Sequence, residues 1–481
     1  MTVYDLVVLG GGTAGLTAAV GAATQGARTL LVERDRTGGD CLWTGCVPSK
    51  ALLTVAERAS AARTAAAFGV HVGEVIVDFA AAMAHVKQAI ATIAPHDASD
   101  RLRGEGVEVV EGIGRFVAPD RLEVGGQVVR FRHAMIATGA SPLIPPIPGL
   151  REVEPLTSDT LWDLAELPGR LVVLGGGPIG AELGQAFARL GSQVTVVEMA
   201  DGLLPREEPA ARELVAASLA ADGVDVRVRT KAVRVERADD GEPRLVVEHL
   251  GEERVVPFDE LLVALGRRPD VASLGLEVAG VELDARGAVA VDARLRTGNP
   301  RIYAGGDVTM LLPFTHTAST HGSTVVQNAL FGLRRSVDHE RIPWVTFTAP
   351  EVARVGLSAA EARERFGGRA RVRTASHGHL DRAVASGETA GFATLVGDPK
   401  GRIVGATVVG PRAGETIGEV VAWMAGGASL STIVRSTHAY PTWNEDLTAA
   451  SLEDLQASLA RVRPLTRALL WLRRALLSWR R

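Results

Sequence analysis

The chain has 481 residues with a formal net charge of −4, and 46% of its residues are apolar, which is ordinary for a soluble globular protein of about three domains. Its only cysteines, Cys41 and Cys46, exclude a disulfide-stapled scaffold and a four-thiolate zinc or iron–sulfur site. The near-neutral charge gives no indication of nucleic-acid binding. Residues 1–5 carry an acid and no base. The uncharged stretch that follows is therefore not typical of a signal peptide, and we expect a cytoplasmic protein.

The first predicted unit is a βαβ motif near the N-terminus. Residues 4–9 predict a buried strand, residues 13–24 a helix of small side chains, and residues 28–32 a second strand. Such a unit binds a dinucleotide when glycines let the backbone approach the pyrophosphate and a distal acid accepts hydrogen bonds from the ribose. The residues in these positions are Gly10, Gly12, Gly15 and Glu33.

The two cysteines follow this unit in the segment Cys41-Leu-Trp-Thr-Gly-Cys46-Val-Pro48-Ser-Lys50. Pro48 suits the first turn of a helix, so Cys46 is predicted at the positive helix end, where a thiol pKa falls. Two such thiols can close a small reducible disulfide ring. The alternative is a pair of ordinary buried cysteines that happen to be neighbours.

The same unit recurs in the second third of the chain. Residues 171–174, 179–190 and 193–197 predict strand, helix and strand. Their glycines and distal acid are Gly175, Gly177, Gly180 and Glu198. A carboxylate at this ribose disfavours a 2′-phosphate, and the next arginine is only Arg206, so we expect NADH rather than NADPH.

The remaining composition predicts the domain organisation. Strands at residues 131–137, 261–265 and 302–304 end in glycine-rich turns, and from about residue 343 β-rich segments alternate with helices. We therefore predict an α/β fold with two Rossmann-like nucleotide-binding domains and a C-terminal α+β domain. The predicted ranges are 1–150 with 275–342, 151–274, 343–460 and a separate tail helix at 461–481.

The segment from Gly38 to Lys50 resembles the active-site motif of the class I pyridine nucleotide–disulfide oxidoreductases. The stretches at residues 137–139, 304–307 and 347–351 are also similar to motifs of that family. The resemblance implies FAD on the first domain, NAD(P)H on the second, and a homodimer formed through the third. It implies electron flow from the nicotinamide through flavin and a Cys41–Cys46 disulfide to a small-molecule or protein disulfide or another acceptor.

The resemblance also implies individual roles. Cys46 matches the flavin-proximal thiol and Cys41 the interchange thiol that attacks substrate. Lys50 matches the lysine beside the flavin, where it also contacts the cofactor, and Glu182 matches its carboxylate partner. The further positions expected to contact a cofactor are Gly114, Thr138, Gly139, Ile179, Gly266, Asp307 and Ala318. No metal-binding residue is predicted.

The chain departs from the family near its C-terminus. Thiol reductases carry His-x-His-Pro-Thr-x-x-Glu there, with the second histidine as acid–base, whereas this chain has Tyr440 in that place and keeps Glu445. A phenol with a pKa near 10 is a poorer proton shuttle than an imidazole near 6.5. His438 either substitutes for the missing histidine or is structural, and we favour the structural role.

The acceptor is left open by these motifs. A tyrosine in this region makes the chain similar to mercuric reductases. The vicinal cysteine pair and the cysteine-bearing domain of those enzymes, however, have no counterpart in this sequence. We therefore predict a mercuric-reductase-like flavoprotein with an unassigned acceptor. The alternatives are a dihydrolipoamide dehydrogenase of a 2-oxoacid complex and a membrane-recruited quinone or diaphorase-type reductase.

The tail is the last predicted element. Pro464 is expected to open a helix, and residues 461–481 carry seven arginines and no acid. Its apolar side chains recur on one face, at Leu465, Leu469, Leu472, Leu476 and Trp479. Such a helix either lies peripherally on an anionic membrane or packs on the dimer partner.

Overall fold

The structure is a computed structural model that describes residues 2–478, with side-chain surroundings described up to residue 475. The chain forms two compact units. The first consists of the chain up to Pro205 together with Leu219–His339, and the second consists of Arg206–Ser218 together with the chain from Glu340 onward.

The first unit contains both predicted βαβ motifs. Its elements in chain order, with the helix α7 that ends in it, are β1 (Val3–Leu9), α1 (Thr13–Thr24), β2 (Thr29–Glu33), α2 (Gly39–Trp43), α3 (Cys46–Thr64), α4 (Phe79–Ile93), α5 (Ser99–Gly104), β3 (Val107–Glu111), β4 (Arg115–Ala118), β5 (Arg121–Val124), β6 (Gln127–Ile136), β7 (Ala140–Pro142), β8 (Arg170–Leu174), α6 (Pro178–Leu190), β9 (Gln193–Val197), α7 (Pro209–Ala221), β10 (Asp225–Arg227), β11 (Thr230–Arg237), β12 (Pro243–His249), β13 (Glu252–Pro257), β14 (Glu260–Val263), β15 (Arg267–Pro269), α8 (Leu276–Ala279), β16 (Ile302–Ala304) and α9 (Thr315–Phe331).

Two parallel sheets organise this unit. In the first, β3, β2, β1, β6 and β16 run parallel, and β4 and β5 extend β6 as an antiparallel meander. In the second, β10, β9, β8 and β14 are parallel. The strands β1 and β8 are almost entirely buried, as parallel strands covered on both faces must be. Two Rossmann-like folds were predicted from the sequence, and this architecture confirms them.

The second unit is an antiparallel sheet with helices. Its five strands pair in the order β17-β18-β21-β20-β19, and its core contains Val355, Leu395, Val408 and Ile417. The elements are β17 (Trp344–Thr346), β18 (Glu351–Gly356), α10 (Ala359–Phe366), β19 (Arg371–Ser376), α11 (Asp381–Ser386), β20 (Phe392–Gly397), β21 (Ile403–Gly410), α12 (Ala413–Ala425), α13 (Leu430–Arg435) and α14 (Glu445–Ser478).

The tail is not a separate helix, which corrects the expectation that Pro464 begins one. The helix α14 runs without a break from Glu445 to Ser478 with Pro464 inside it. A proline removes one backbone hydrogen bond from a helix. Here the surrounding turns are exposed, so water can satisfy the carbonyl that loses its partner. Among the described residues, no helix is both long enough and apolar enough to cross a membrane.

Candidate active site

The two cysteines lie on either side of a short break between two helices. Cys41 belongs to α2, and Cys46 is the first residue of α3. Gly45 permits this break, because a β-carbon there would lie 2.9 Å from the carbonyl oxygen of Asp40. Both cysteines are free thiols, and their side chains are hydrogen-bonded to each other. The segment therefore holds the two thiols side by side.

The two thiols have opposite proton affinities. The hydrogen bond from the Cys41 thiol is the largest effect that lowers the pKa of Cys46, to about 6, against the opposing effect of burial. Thr315 and Lys50 lower it further. Cys41 shows the reverse, because its hydrogen bond to Cys46 and its burial raise its pKa. At neutral pH the reduced pair is therefore a Cys46 thiolate beside a Cys41 thiol.

Thr315 is a site residue that was not predicted. Its Oγ1 lies 3.3 Å from the Sγ of Cys46, although 269 positions separate them in the chain. Thr315 is the first residue of α9, so the N-termini of α3 and α9 both lie at this sulfur. Positive helix ends and a hydroxyl donor favour the thiolate.

We expect Thr315→Val to raise the pKa of Cys46 by about one to two pH units, because a hydrogen bond to a charged group contributes about 1.5–3 kcal/mol. The measurement is the pH dependence of iodoacetamide alkylation in the reduced protein, with Cys41→Ser as background. Thr315→Ser keeps the hydroxyl and is expected to leave the profile unchanged. Identical profiles for the valine and serine variants would contradict the assignment.

Lys50 and Glu182 form the ion pair that the family resemblance implies. Lys50 lies one turn after Cys46 on α3, and its Nζ donates to the Oε2 of Glu182 on α6 at 2.9 Å. Glu182 is buried, with a side-chain exposure of 8%, whereas that of Lys50 is 38%. The buried carboxylate therefore holds the ammonium group close enough to Cys46 to lower the pKa of that thiol.

The first glycine loop is an uncapped helix N-terminus. A β-carbon at Gly15 would overlap the carbonyl oxygen of Gly10, so this turn requires glycine. Gly12 is the N-cap of α1 and makes no side-chain cap hydrogen bond. Glu33 accepts from the backbone N–H of Gly11 at 2.5 Å. The free helix end and the oriented acid fit the pyrophosphate and ribose of a dinucleotide.

The second loop repeats this arrangement. Glu198 accepts from the backbone N–H of Gly176 at 2.6 Å, and a β-carbon at Gly180 would overlap the carbonyl oxygen of Gly175. A β-carbon at Gly177 would meet nothing within 4 Å in the described part of the chain, so the space beside it is open for a phosphate. Ile179 lies in the first turn of α6 and is 37% exposed.

Other predicted cofactor positions line the first sheet's carboxyl edge. Asp307 follows β16 and is half-buried, and this burial raises its pKa. Gly306, which precedes it, has a φ of 77°. Ala318 on α9 packs against this turn. A carboxylate in such a turn fits the hydroxyl groups of a sugar chain.

The remaining predicted positions lie in packed or glycine-dependent backbone. Gly114 is buried against Leu9 and Val32. Gly139 and Gly266 have positive φ angles of 73° and 108°. The structure places them in the loops that precede β7 and β15. Thr138 donates its hydroxyl to the backbone carbonyl of Asp270 at 2.8 Å.

Arg267 is a second residue that was not predicted. Its guanidinium contacts the carboxylate of Asp40 and the carbonyl oxygen of Ala140. Burial raises the pKa of Asp40 to about 6, and the positive charge of Arg267 opposes that effect. Asp40, the residue next to Cys41, is therefore held from the first residue of β15, within the stretch Gly266-Arg267-Arg268-Pro269.

Tyr440 and Glu445 belong to the second unit. The Tyr440 hydroxyl donates to Asp381 at 2.6 Å, and this hydrogen bond raises the pKa of the phenol further above its usual value. Glu445 begins α14. His438 has both ring nitrogens engaged, with Glu419 at 2.8 Å and Thr448 at 3.1 Å. Its position agrees with a structural role.

No group of three or more His, Cys, Asp or Glu side chains in the described residues could hold a metal ion. The two cysteines offer the chemistry of a thiol–thiolate pair beside two nucleotide-binding folds.

Comparisons with known proteins agree with this geometry. Residues 4–322 match the pyridine nucleotide-disulphide oxidoreductase family, and residues 342–451 match its dimerisation domain. The chain is 37% identical to a mercuric reductase of Streptomyces lividans over 94% of this chain and 96% of that protein. It is 36% identical to a dihydrolipoyl dehydrogenase of Thermus scotoductus over 94% of this chain and 97% of that protein.

A solved structure gives the same result. The Cu(II) complex of the HOCl-induced flavoprotein disulfide reductase RclA from Escherichia coli superposes with a TM-score of 0.81 at 31% identity, covering 94% of this chain and 99% of that one. The motif-based resemblance is confirmed, and the chain belongs to the pyridine nucleotide–disulphide oxidoreductase family of flavoprotein enzymes.

Proposed function

We propose that this enzyme oxidises NADH and reduces an acceptor through a Cys41–Cys46 disulfide. The observation that carries the proposal is the inequality of the two thiols, since the pKa of Cys46 is lowered and that of Cys41 is raised. Opening the disulfide with the two electrons and one proton of a hydride leaves one thiol and one thiolate. Cys41 keeps the proton, and Cys46 is left as the thiolate.

The residues of the first unit suit FAD and a nicotinamide nucleotide. The first glycine loop, Glu33 and Asp307 would hold FAD, and the second loop with Glu198 would hold the nicotinamide nucleotide. When bound, FAD supplies two-electron transfer between the nicotinamide and the sulfur pair. Lys50, held by Glu182, contributes a positive charge beside Cys46. Glu198 supports NADH, because its carboxylate would repel a 2′-phosphate.

The test is an anaerobic titration of the purified protein with NADH. We expect a long-wavelength thiolate–flavin absorbance band after two electrons per subunit, and we expect NADPH to produce it at least about tenfold more slowly. Cys46→Ser is the matched control, since it removes the thiolate and keeps the nucleotide folds. A wild-type protein without the band would overturn the proposal.

The acceptor is proposed to lie outside the disulfide substrates of thiol reductases, because the Tyr440 phenol has a raised pKa and is a poor proton shuttle at neutral pH. Steady-state NADH oxidation with lipoamide, oxidised glutathione, mercuric ion, Cu(II) and quinones tests this proposal. Lipoamide turnover as fast as dye reduction would instead favour a dihydrolipoamide dehydrogenase.

The match to a dimerisation domain supports a homodimer, which sedimentation measures.

We expect Tyr440→His to raise turnover with lipoamide or oxidised glutathione roughly tenfold or more, since positioned acid–base groups contribute about 10²–10⁴-fold. An imidazole near pKa 6.5 exchanges protons at neutral pH, whereas the Tyr440 phenol hydrogen-bonded to Asp381 has a raised pKa. Tyr440→Phe is the control and is expected to give no increase. An unchanged rate for the histidine variant would show that this position does not limit turnover.

We also propose that the tail contacts an anionic membrane surface. Leu465, Leu469 and Leu472 share one face of α14 and are 64%, 58% and 50% exposed, with Trp471 at 68% beside them. The arginines of residues 461–481 are unopposed by any acid, which suits anionic headgroups. The side chain of Leu476 and the whole of Trp479 lie outside the described residues.

Liposome pelleting tests this contact. We expect the full chain to pellet with anionic vesicles and not with neutral ones, and the chain without residues 461–481 to remain in the supernatant. Pelleting that is unchanged by the deletion would remove the membrane proposal. A tail that changes only the sedimentation of the dimer would support packing on the partner instead.

A further inference from the structure

Two histidines of the first unit form a hydrogen-bonded pair beneath the Asp307 turn. His321 on α9 is fully buried, and its Nε2 lies 3.0 Å from the Nε2 of His339, the last residue of that unit. The other ring nitrogen of His321, Nδ1, lies 3.1 Å from the backbone nitrogen of Gly306. The two rings meet edge to face, with centroids 5.2 Å apart.

The protons of this pair follow from its donors. A backbone N–H can only donate, so Nδ1 of His321 must be an acceptor and its proton must lie on Nε2. That Nε2–H then donates to the Nε2 of His339, which leaves His339 neutral with its proton on Nδ1. Each ring nitrogen of the pair is thereby assigned as a donor or an acceptor. The hydrogen bonds from Gly306 to His321 and from His321 to His339 are donated in the same direction.

An additional proton has no free place in this chain. If it binds Nε2 of His339, two N–H groups face each other and the bond between the rings is lost. If it binds Nδ1 of His321, the bond from Gly306 is lost. Burial accordingly lowers the pKa of His321 to about 4 and lowers that of His339, which the carboxylate of Asp338 partly offsets. The helix α1, which packs on α9, has no ionisable side chain.

The turn held by His321 depends on glycine and lies next to Asp307. Gly306 has a φ of 77° and a ψ of −159°, a combination that is essentially restricted to glycine. Its carbonyl accepts from the hydroxyl of Thr309 at 2.8 Å. His321 and Thr309 therefore hold the two backbone polar groups of Gly306, and the backbone of Asp307 is positioned through them.

We propose that His321 and His339 are positioning residues that hold the Asp307 turn in its FAD-binding conformation, and that protonation of the pair releases this turn and weakens FAD retention in acid. This inference rests on the proposed assignment of FAD to Asp307. Because a proton added to the pair breaks one of its bonds, the folded state disfavours it. Retention is therefore complete above the ordinary histidine pKa of about 6.5 and is lost progressively as the pH falls from there through the lowered pKa of His321, about 4.

The experiment measures the rate of FAD release, through the rise in flavin fluorescence in moderate urea, at about pH 8 and about pH 5. Wild type is expected to release FAD about three- to tenfold faster at the lower pH, the range expected for one lost hydrogen bond. His339→Phe keeps the ring and removes the acceptor, so its release is expected to be fast at both pH values.

A second variant separates the two bonds. His321→Asn keeps an acceptor for the N–H of Gly306 near the position of Nδ1, but its shorter side chain does not reach His339. The ratio of its FAD-release rates at the two pH values is therefore expected to be close to that of His339→Phe. His85→Gln, an exposed histidine on α4, is the control and is expected to keep the wild-type ratio. Asp307 and Asp40 also titrate in acid, but they are common to all variants.

The outcomes distinguish this inference from the assignment on which it rests. A wild-type ratio retained in His339→Phe would overturn the role of the pair, while FAD binding itself would stand. A wild-type protein that neither contains FAD nor takes it up would overturn the cofactor assignment, and this proposal with it.

Discussion

Replacing either cysteine with serine is expected to lower NADH-dependent reduction of a disulfide substrate by roughly a thousandfold or more, because removing one member of a covalent catalytic unit removes its function. Both variants are expected to keep NADH-dependent dye reduction, which needs only the two nucleotide sites. Steady-state rates with lipoamide and with a dye measure this difference.

The two variants should differ in the reactivity of the remaining thiol. In Cys41→Ser the serine hydroxyl can still donate to Cys46, whose pKa is lowered to about 6 in the intact pair, so alkylation is expected to be fast at pH 7. In Cys46→Ser, burial still raises the pKa of Cys41, and alkylation is expected to be slow. Cys41→Ala removes the donor and is expected to raise the pKa of Cys46. Equal alkylation rates in the two serine variants would contradict the assignment of roles.

The nucleotide folds could be predicted because their determinants are local. The helix predicted at residues 13–24 is α1, and the strand predicted at residues 193–197 is β9. In each fold a glycine packs against a carbonyl oxygen of the preceding turn. No side chain fits there, so the glycine motif is visible in the local sequence.

The site residues that could not be predicted reach it across long chain separations. Thr315 contacts Cys46 from 269 positions away, and Arg267 contacts Asp40 from 227 positions away. Each is an ordinary polar residue in its own segment, and its role depends on which helix end or turn the sheets bring beside the cysteines. The His321–His339 pair likewise depends on the fold, because one ring lies on α9 and the other where the chain leaves the unit.

The tail shows how far a local rule holds. A proline is favoured in the first turn of a helix, and this preference predicted a helix start at Pro464. The helix α14 had already begun at Glu445, where Asp446 and Leu447 are buried. Packing at one end can therefore extend a helix through a proline at an exposed position, where the lost hydrogen bond costs little.

The second large effect is expected from a glycine in the first turn of each nucleotide-binding helix. Gly15→Ala is expected to weaken FAD binding by roughly five- to 150-fold, because the added carbon overlaps the carbonyl oxygen of Gly10 and such overpacking costs about 1–3 kcal/mol. Gly180→Ala makes the same overlap with Gly175, and it is expected to raise the KM for NADH by a similar factor while FAD remains bound.

Flavin absorbance of the purified protein and NADH kinetics separate the two cases. Gly21→Ala is the control on α1, because its β-carbon would lie 3.6 Å from Val326 in ordinary contact, and both functions are expected to be retained. Loss of FAD in Gly180→Ala, or loss of NADH affinity alone in Gly15→Ala, would reverse the assignment of the two cofactors. The two loops have nearly the same backbone and the same oriented acid. The surroundings of each loop must therefore determine which nucleotide it holds. The Asp307 turn follows β16 and the two cysteines follow β2, and both strands belong to the sheet that carries the first loop.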